Sequence, residues 1–238
     1  MRITLFSIGL LFLSFSLSAQ VGTSPATTSG NRHDNGEIMN QFFKGIKRNN
    51  QPTEVDGSPY LYNDYKSGTL KFPGGKEFST FIKYNVLKET IEVKIDNEEY
   101  QLTDDEVDVD FKNRTFTKYT YEKGDNKGLF KGYFEVLNPD SKDQELKLLL
   151  KPYIYVKRGK AAAAMQKATP PKYVLRTDYY LKFPEENKAI QVQTKSKDFL
   201  RLFKGHSLEK IEKFVDSNRL KPRKEDDLIE IVRFYNNI

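Results

Sequence analysis

The sequence predicts an α+β fold: an antiparallel β-meander sheet, open or partly closed, with a C-terminal group of two to three short helices. Three observations carry this. Apolar residues recur with a period of two from Gly57 to Thr194, the segments showing that period are joined by short turn-rich links, and after Thr194 the period becomes helical.

Residues 1–19 precede the fold. Arg2 supplies a positive start, Leu5 to Leu17 is an apolar run broken only by small residues, and Ser16-Leu17-Ser18-Ala19 leads into Gln20. This is the pattern of a cleavable secretory signal peptide, and the run is shorter than the ~20 residues that span a bilayer. The expected address of the mature chain is therefore periplasmic or extracellular, with no transmembrane segment after signal cleavage. Export permits disulfides, yet the chain has no cysteine, so core packing must supply its stability. The same absence excludes thiol nucleophiles, cysteine zinc sites and iron–sulfur clusters.

Residues 20–56 are polar and read as mostly disordered, apart from a short helix near 38–47 suggested by Ile38, Met39, Phe42, Phe43 and Ile46. The β domain is placed at 57–194. Its first strands are marked by Phe78, Thr80, Ile82, Tyr84 and Val86, then Ile91, Val93 and Ile95, then Tyr100 and Leu102, then Val107, Val109 and Phe111. Pro73-Gly74-Gly75, Asp96-Asn97 and Lys123 to Gly128 supply turns between them. Links this short demand antiparallel neighbours, because a parallel crossover needs a dozen residues or more.

A second group of strands follows at 129–137, 145–157, 173–183 and 189–194. Tyr153 and Tyr155 alternate with Ile154 and Val156, which predicts that this strand is buried on both faces. Arg158 to Lys172, with its four alanines and Pro170-Pro171, reads as a long exposed loop or a domain boundary. The C-terminal helices occupy 195–238, packed on the β domain. Ser196 is expected to cap the first, Gly205 to end it and Ser207 to cap the second, whose stripe is Leu208, Ile211, Phe214 and Val215. Pro222 stops that helix, and Glu225, Asp226 and Asp227 open the last one, with Leu228, Ile231, Val232 and Tyr235 facing inward.

Gly57-Ser58-Pro59-Tyr60-Leu61, the Tyr84-Asn85-Val86 strand followed by Glu92-Val93-Lys94, the proline-flanked loop and the closing Glu230 to Asn237 segment ending in Tyr-Asn-Asn together resemble an uncharacterised family of secreted β-rich proteins of Bacteroidota-type bacteria. The resemblance spans most of the mature chain. It implies an envelope or extracellular address in a Gram-negative bacterium, and brings no catalytic residues with it.

The candidate chemistry is sparse. His33 lies in the polar N-terminal stretch and His206 lies between a glycine and a serine, neither in the setting of a metal ligand or catalytic base. Gly-x-Ser-x-Gly and His-Glu-x-x-His motifs are absent, which argues against familiar serine and zinc hydrolases. Asp104, Asp105, Glu106, Asp108 and Asp110 could gather oxygen ligands for calcium, but strand alternation explains them equally, with Val107, Val109 and Phe111 inward. The glycine turns lack the strand-loop-helix context of a phosphate loop. The sequence thus names no catalytic, cofactor-binding or metal residue and implies no cofactor.

Thirty-nine basic against 33 acidic residues give a net charge of +6, and removing residues 1–19 takes only Arg2, leaving +5. Such an excess suits anionic surfaces, lipid headgroups or acidic glycans, although solubility explains it too. Lysines interleave with aromatics at Lys118 to Tyr121 and Lys151 to Lys157. Export argues against nucleic acid as the partner. The expectation is an exported, non-catalytic binding or structural protein of the bacterial envelope, with an envelope protein or a glycan as partner. The alternative is a secreted carboxylate-dependent hydrolase acting on glycans.

Overall fold

A computed structural model describes residues 41–46, 55–123, 126–142, 144–162, 167–193 and 195–238. The signal segment, His33 and residues 38–40 and 47 of the predicted N-terminal helix lie outside these residues.

Eleven strands among the described residues form one antiparallel sheet. They are β1 (Phe43–Gly45), β2 (Lys66–Lys71), β3 (Glu77–Asn85), β4 (Thr90–Ile95), β5 (Glu98–Leu102), β6 (Asp108–Phe111), β7 (Arg114–Lys123), β8 (Asn126–Val136), β9 (Lys147–Lys157), β10 (Lys172–Lys182) and β11 (Ile190–Gln191). The spatial order is β1-β5-β4-β3-β2-β6-β7-β8-β9-β10-β11. Three short helices follow, α1 (Ser196–Leu200), α2 (His206–Asn218) and α3 (Glu225–Tyr235). The α+β reading holds, with a sheet that no continuous strand ladder closes.

Two of the expected turns are where the sequence placed them, whereas at the third β8 already begins at Asn126, inside the predicted Lys123 to Gly128 link. Gly74 and Gly75 both sit at φ +83°, and Asp96 and Asn97 take the left-handed values of a two-residue hairpin turn. Lys112 and Asn113 make the same turn between β6 and β7 without a glycine to announce it.

One link departs from a plain meander, since β6 lies beside β2 rather than beside β5. In a flat sheet the ends of β5 and β6 would stand four strand spacings apart, about 19 Å. Residues 103–107 could cover that distance only if almost fully extended. They are not, because the Asp104 carboxylate accepts the Glu106 N–H at 2.7 Å in a tight local turn. The sheet must therefore roll. Leu70, Ile82, Tyr84, Ile91, Val93, Val109 and Phe111 fill the inside of that roll, all essentially inaccessible to solvent.

The second half builds two further clusters on opposite faces of β9. Leu148 joins Leu181, Phe183 and the stripes of the three helices, whereas Leu149 joins Tyr121, Phe134, Val136, Tyr180 and Ala189. Double burial of β9 thus falls on residues 148–152 and not on 153–156, where Tyr155 and Val156 are exposed. The helices back only the first half of the strand.

Several local expectations are corrected. Residues 43–45, read as part of a helix over 38–47, form β1 and pair with Leu102, Gln101 and Tyr100, because an edge of β5 was available to them. The proline-flanked segment is an extension of the β9–β10 hairpin on its described flanks, with Lys160 and Thr169 exchanging both backbone hydrogen bonds at 3.0–3.1 Å. The pattern at 189–194 yields only the two-residue β11.

The N-caps are Lys195 and Gly205, not Ser196 and Ser207. The Ser207 hydroxyl instead donates to the Lys204 carbonyl. Gly205 opens α2 and does not end α1, which stops at Arg201. Before Pro222 is reached, α2 ends at left-handed Arg219, and the Leu220 N–H bonds back to the Val215 carbonyl. The acidic first turn of α3 and its buried Leu228, Ile231 and Val232 are as expected.

Candidate functional site

The acidic run of residues 104–110 is dispersed by its partners. Asp105 binds Lys118 at 2.5 Å and Lys131 at 2.8 Å, Asp108 accepts the Thr117 hydroxyl, and Asp110 pairs with Lys71. Val107, Val109 and Phe111 are buried on the other side. The two lysines hold the Asp105 carboxyl below the usual carboxylate value, chiefly by hydrogen bonding. No cluster of three or more His, Asp or Glu suited to a metal ion occurs among the described residues. His206 is the first residue of α2.

The arrangement with most chemical content was not singled out from the sequence. Pairing of β8 with β9 spans only Glu135↔Leu150 and Val136↔Leu149, after which the two strands part. At the parting lies Lys151, 2% exposed, with its ammonium 2.5 Å from the Glu89 carboxylate. The same ammonium stands 5.4 Å from the ring centre of Tyr121 and 5.3 Å from that of Phe134, and 3.3 Å from the Pro152 carbonyl. Glu89 reaches in from the β3–β4 turn with φ +54°, and its second oxygen accepts the Tyr84 hydroxyl at 2.8 Å.

Gly132 on β8 makes the approach possible. A Cβ there would lie 2.8 Å from the Glu89 carboxylate and 3.0 Å from the Lys151 ammonium. Burial, with Glu89 next, pushes the Tyr121 hydroxyl up to about 12, and burial raises Tyr84 and Tyr180 as well, so these phenols stay neutral. Asp178, opposite Lys151 in the register, has its carboxyl raised by burial, against a hydrogen bond from the Gln191 amide at 3.0 Å. This ion pair pins the β3–β4 turn to the point where the sheet divides. Its sequence signal was present: Lys151-Pro152 interrupts an otherwise apolar run, Leu148-Leu149-Leu150.

Beyond Lys151 the β9–β10 hairpin changes character. Between Leu146 and Thr177 the chain carries eight Lys or Arg and no Asp or Glu. Tyr155, Val156 and Leu175 are 44%, 45% and 39% exposed, and Lys157, Arg158, Lys160, Lys172 and Arg176 are exposed around them. The register sets Val156 opposite Tyr173, Tyr155 opposite Val174 and Ile154 opposite Leu175, so both faces of this end are apolar. A single backbone bridge, Asp56↔Lys172, ties it to the segment before β2.

A shallow groove of about 210 Å³ between the β10–β11 link and the helices is lined by Phe183, Glu186, Ile190, Arg201 and Tyr235. That is below the size usual for small-molecule sites. No helix among the described residues is long and apolar enough to cross a membrane. No family model, curated protein or solved structure matches the chain.

Proposed function

We propose that this chain is an exported, non-catalytic binding protein of the bacterial envelope. The observation that carries the reading is the outer end of the β9–β10 hairpin, where exposed apolar side chains on both faces are ringed by cations on a strand pair anchored in the core. Solvent-facing aromatic and aliphatic groups on a rigid element are the usual mark of a contact surface. The pattern of residues 1–19 supports the exported address.

Native mass spectrometry of the chain from Gln20 onward, isolated from periplasm or medium beside a denatured sample, tests the reading. A bound molecule or subunit seen in the native spectrum alone, and lost when Tyr155 and Leu175 are changed to Ser, is the expected result. A bare monomer that cleaves glycans would overturn it in favour of the carboxylate-dependent hydrolase. The one observation favouring that rival is the carboxyl of Asp178, raised by burial and opposite Lys151 in the β9–β10 register. In that case Asp178→Asn would abolish the cleavage.

A further inference from the structure

We infer that the β9–β10 hairpin takes up an extended, acidic segment of a partner protein, which adds to the sheet as a strand along the outer edge of β9 beside Ile154 and Val156. The inference rests on the reading of this hairpin as a binding surface and names what it binds.

The backbone points to a strand. The Leu137 N–H donates to the Leu148 carbonyl at 2.9 Å across the β8–β9 ladder, so the even-numbered residues of β9 turn their N–H and C=O groups towards β8. On the far side, the Tyr173 N–H donates to the Asp56 carbonyl and the Val192 N–H to the Tyr179 carbonyl. β10 therefore turns its odd-numbered residues outward and bonds through its even-numbered ones to the odd residues of β9. After Leu150, β8 departs and the even residues of β9 lose their neighbour. Pro152 has no N–H to leave unpaired, its carbonyl takes the Lys151 ammonium at 3.3 Å, and the Tyr133 carbonyl that the register would set against it takes the Tyr84 hydroxyl at 3.5 Å. Ile154 and Val156 follow, and among the described residues nothing bonds to their N–H or C=O groups. Such groups recur every second residue, about 6.8 Å apart, which is the repeat that another β backbone presents.

The side chains specify which strand. Neighbouring strands alternate in step, so residues beside Ile154 and Val156 lie on the face that holds Leu175, and the residue between them lies on the face of Tyr155 and Val174. One added strand thus covers Tyr155 on one face and Val156 on the other, both exposed, which a partner laid flat on either face cannot do. Lys157 and Arg158 come next, also exposed, and among the described residues neither has a carboxylate within ion-pair distance. The complementary segment therefore carries three apolar residues preceded, in the antiparallel sense, by two acidic ones. A second copy of this chain is a poorer occupant, because each copy would bring an unneutralised cationic end against the other.

The test is fluorescence anisotropy of a labelled peptide, Gly-Glu-Glu-Val-Tyr-Val-Gly, titrated with the chain from Gln20 onward, beside the same peptide with Lys in place of both Glu. Three variants accompany the wild type: Val156→Pro, Lys157→Glu with Arg158→Glu, and, away from the hairpin, Lys213→Glu on α2. Val156→Pro deletes an N–H that points out of the hairpin and leaves the β9–β10 ladder intact, as Pro152 does at an equivalent position. Unchanged unfolding temperatures show that each variant is folded, and the charge pair, which alters no backbone group, carries the test if the proline variant unfolds. In the expected outcome the acidic peptide binds, about tenfold more weakly to Val156→Pro and to the charge pair and equally well to Lys213→Glu. The Lys peptide does not bind, and amide exchange at Ile154 and Val156 slows in the complex.

Binding that Val156→Pro leaves unchanged, or that leaves exchange at Ile154 and Val156 as fast as before, overturns strand addition, and equal binding of the Lys peptide overturns the acidic partner. A dimer in the native spectrum that Val156→Pro abolishes, without peptide binding, overturns the inference in favour of a second copy of this chain. No peptide binding, together with another bound mass that the Tyr155 and Leu175 changes remove, overturns this inference and leaves the binding reading standing. No peptide binding and no bound mass overturns both.

Discussion

Replacing Lys151 by Met removes the buried charge and retains a flexible side chain of similar length against Tyr121 and Phe134. The Lys151 ammonium is 2.5 Å from Glu89 and essentially out of solvent, whereas the Glu89 side chain is 25% exposed and keeps its bond from Tyr84 in the variant. Breaking a buried pair commonly costs about 3–5 kcal/mol, most of it the penalty on the charge left behind. Partial exposure of Glu89 places Lys151→Met at the low end, about 3 kcal/mol.

Glu89→Gln takes the carboxylate away from the more deeply buried partner, and should cost about 3–5 kcal/mol. The double variant leaves no charge behind and should be no worse than the poorer single one, giving a coupling of about 3 kcal/mol. Urea unfolding at neutral pH measures each value from the midpoint, provided the slope is unchanged. Single effects that add to within about 0.5 kcal/mol would refute the argument, since they would mean that the two groups do not interact.

Two further predictions concern stability. Burial raises the Asp178 carboxyl above its unfolded value of 3.8, so the stability tied to its protonated form is present below that pH and is lost as pH rises through the folded value. Asp178→Asn should therefore stabilise the protein at pH 7 with no gain at pH 3, and an equal shift at both pH values in thermal unfolding would contradict the assignment. The Asn236 amide accepts the Leu146 N–H at 2.9 Å and donates to the Leu146 carbonyl at 3.0 Å, clamping the end of α3 to the approach of β9. Asn236→Ala should cost about 1–2 kcal/mol by leaving the Leu146 N–H without its acceptor, the carbonyl keeping its bond from the Asn138 amide at 3.0 Å; the readout is a lowered urea midpoint, and a loss under about 0.5 kcal/mol would show that water replaces the amide.

What the chain's own pattern determined is the class of each element. Period-two alternation, the glycine and Asp-Asn turns and the helical stripes are local signals, because strand, turn and helix geometry repeat over a few residues and leave their mark within them. They sufficed for an antiparallel sheet followed by helices and for the inward side of Val107, Val109 and Phe111. They failed at 43–45, where the apolar residues fit a helix as well as an edge strand and only the open side of β5 decides between them. They failed again at Ser196 and Ser207, where the caps fell one or two residues away.

The tertiary structure alone decided that β6 returns beside β2 and rolls the sheet, and that β8 leaves β9 after two residue pairs. Those are long-range choices, set by which surfaces bury one another. From them follow both features on which function is argued. Glu89 and Lys151 are 62 residues apart and become partners only because the parting of the strands makes room and Gly132 has no side chain to fill it. The outer half of β9–β10 is a projecting surface only because the helices pack on the inner half and stop there, leaving in water a run of Tyr, Val and Leu that its sequence marks equally well for a core.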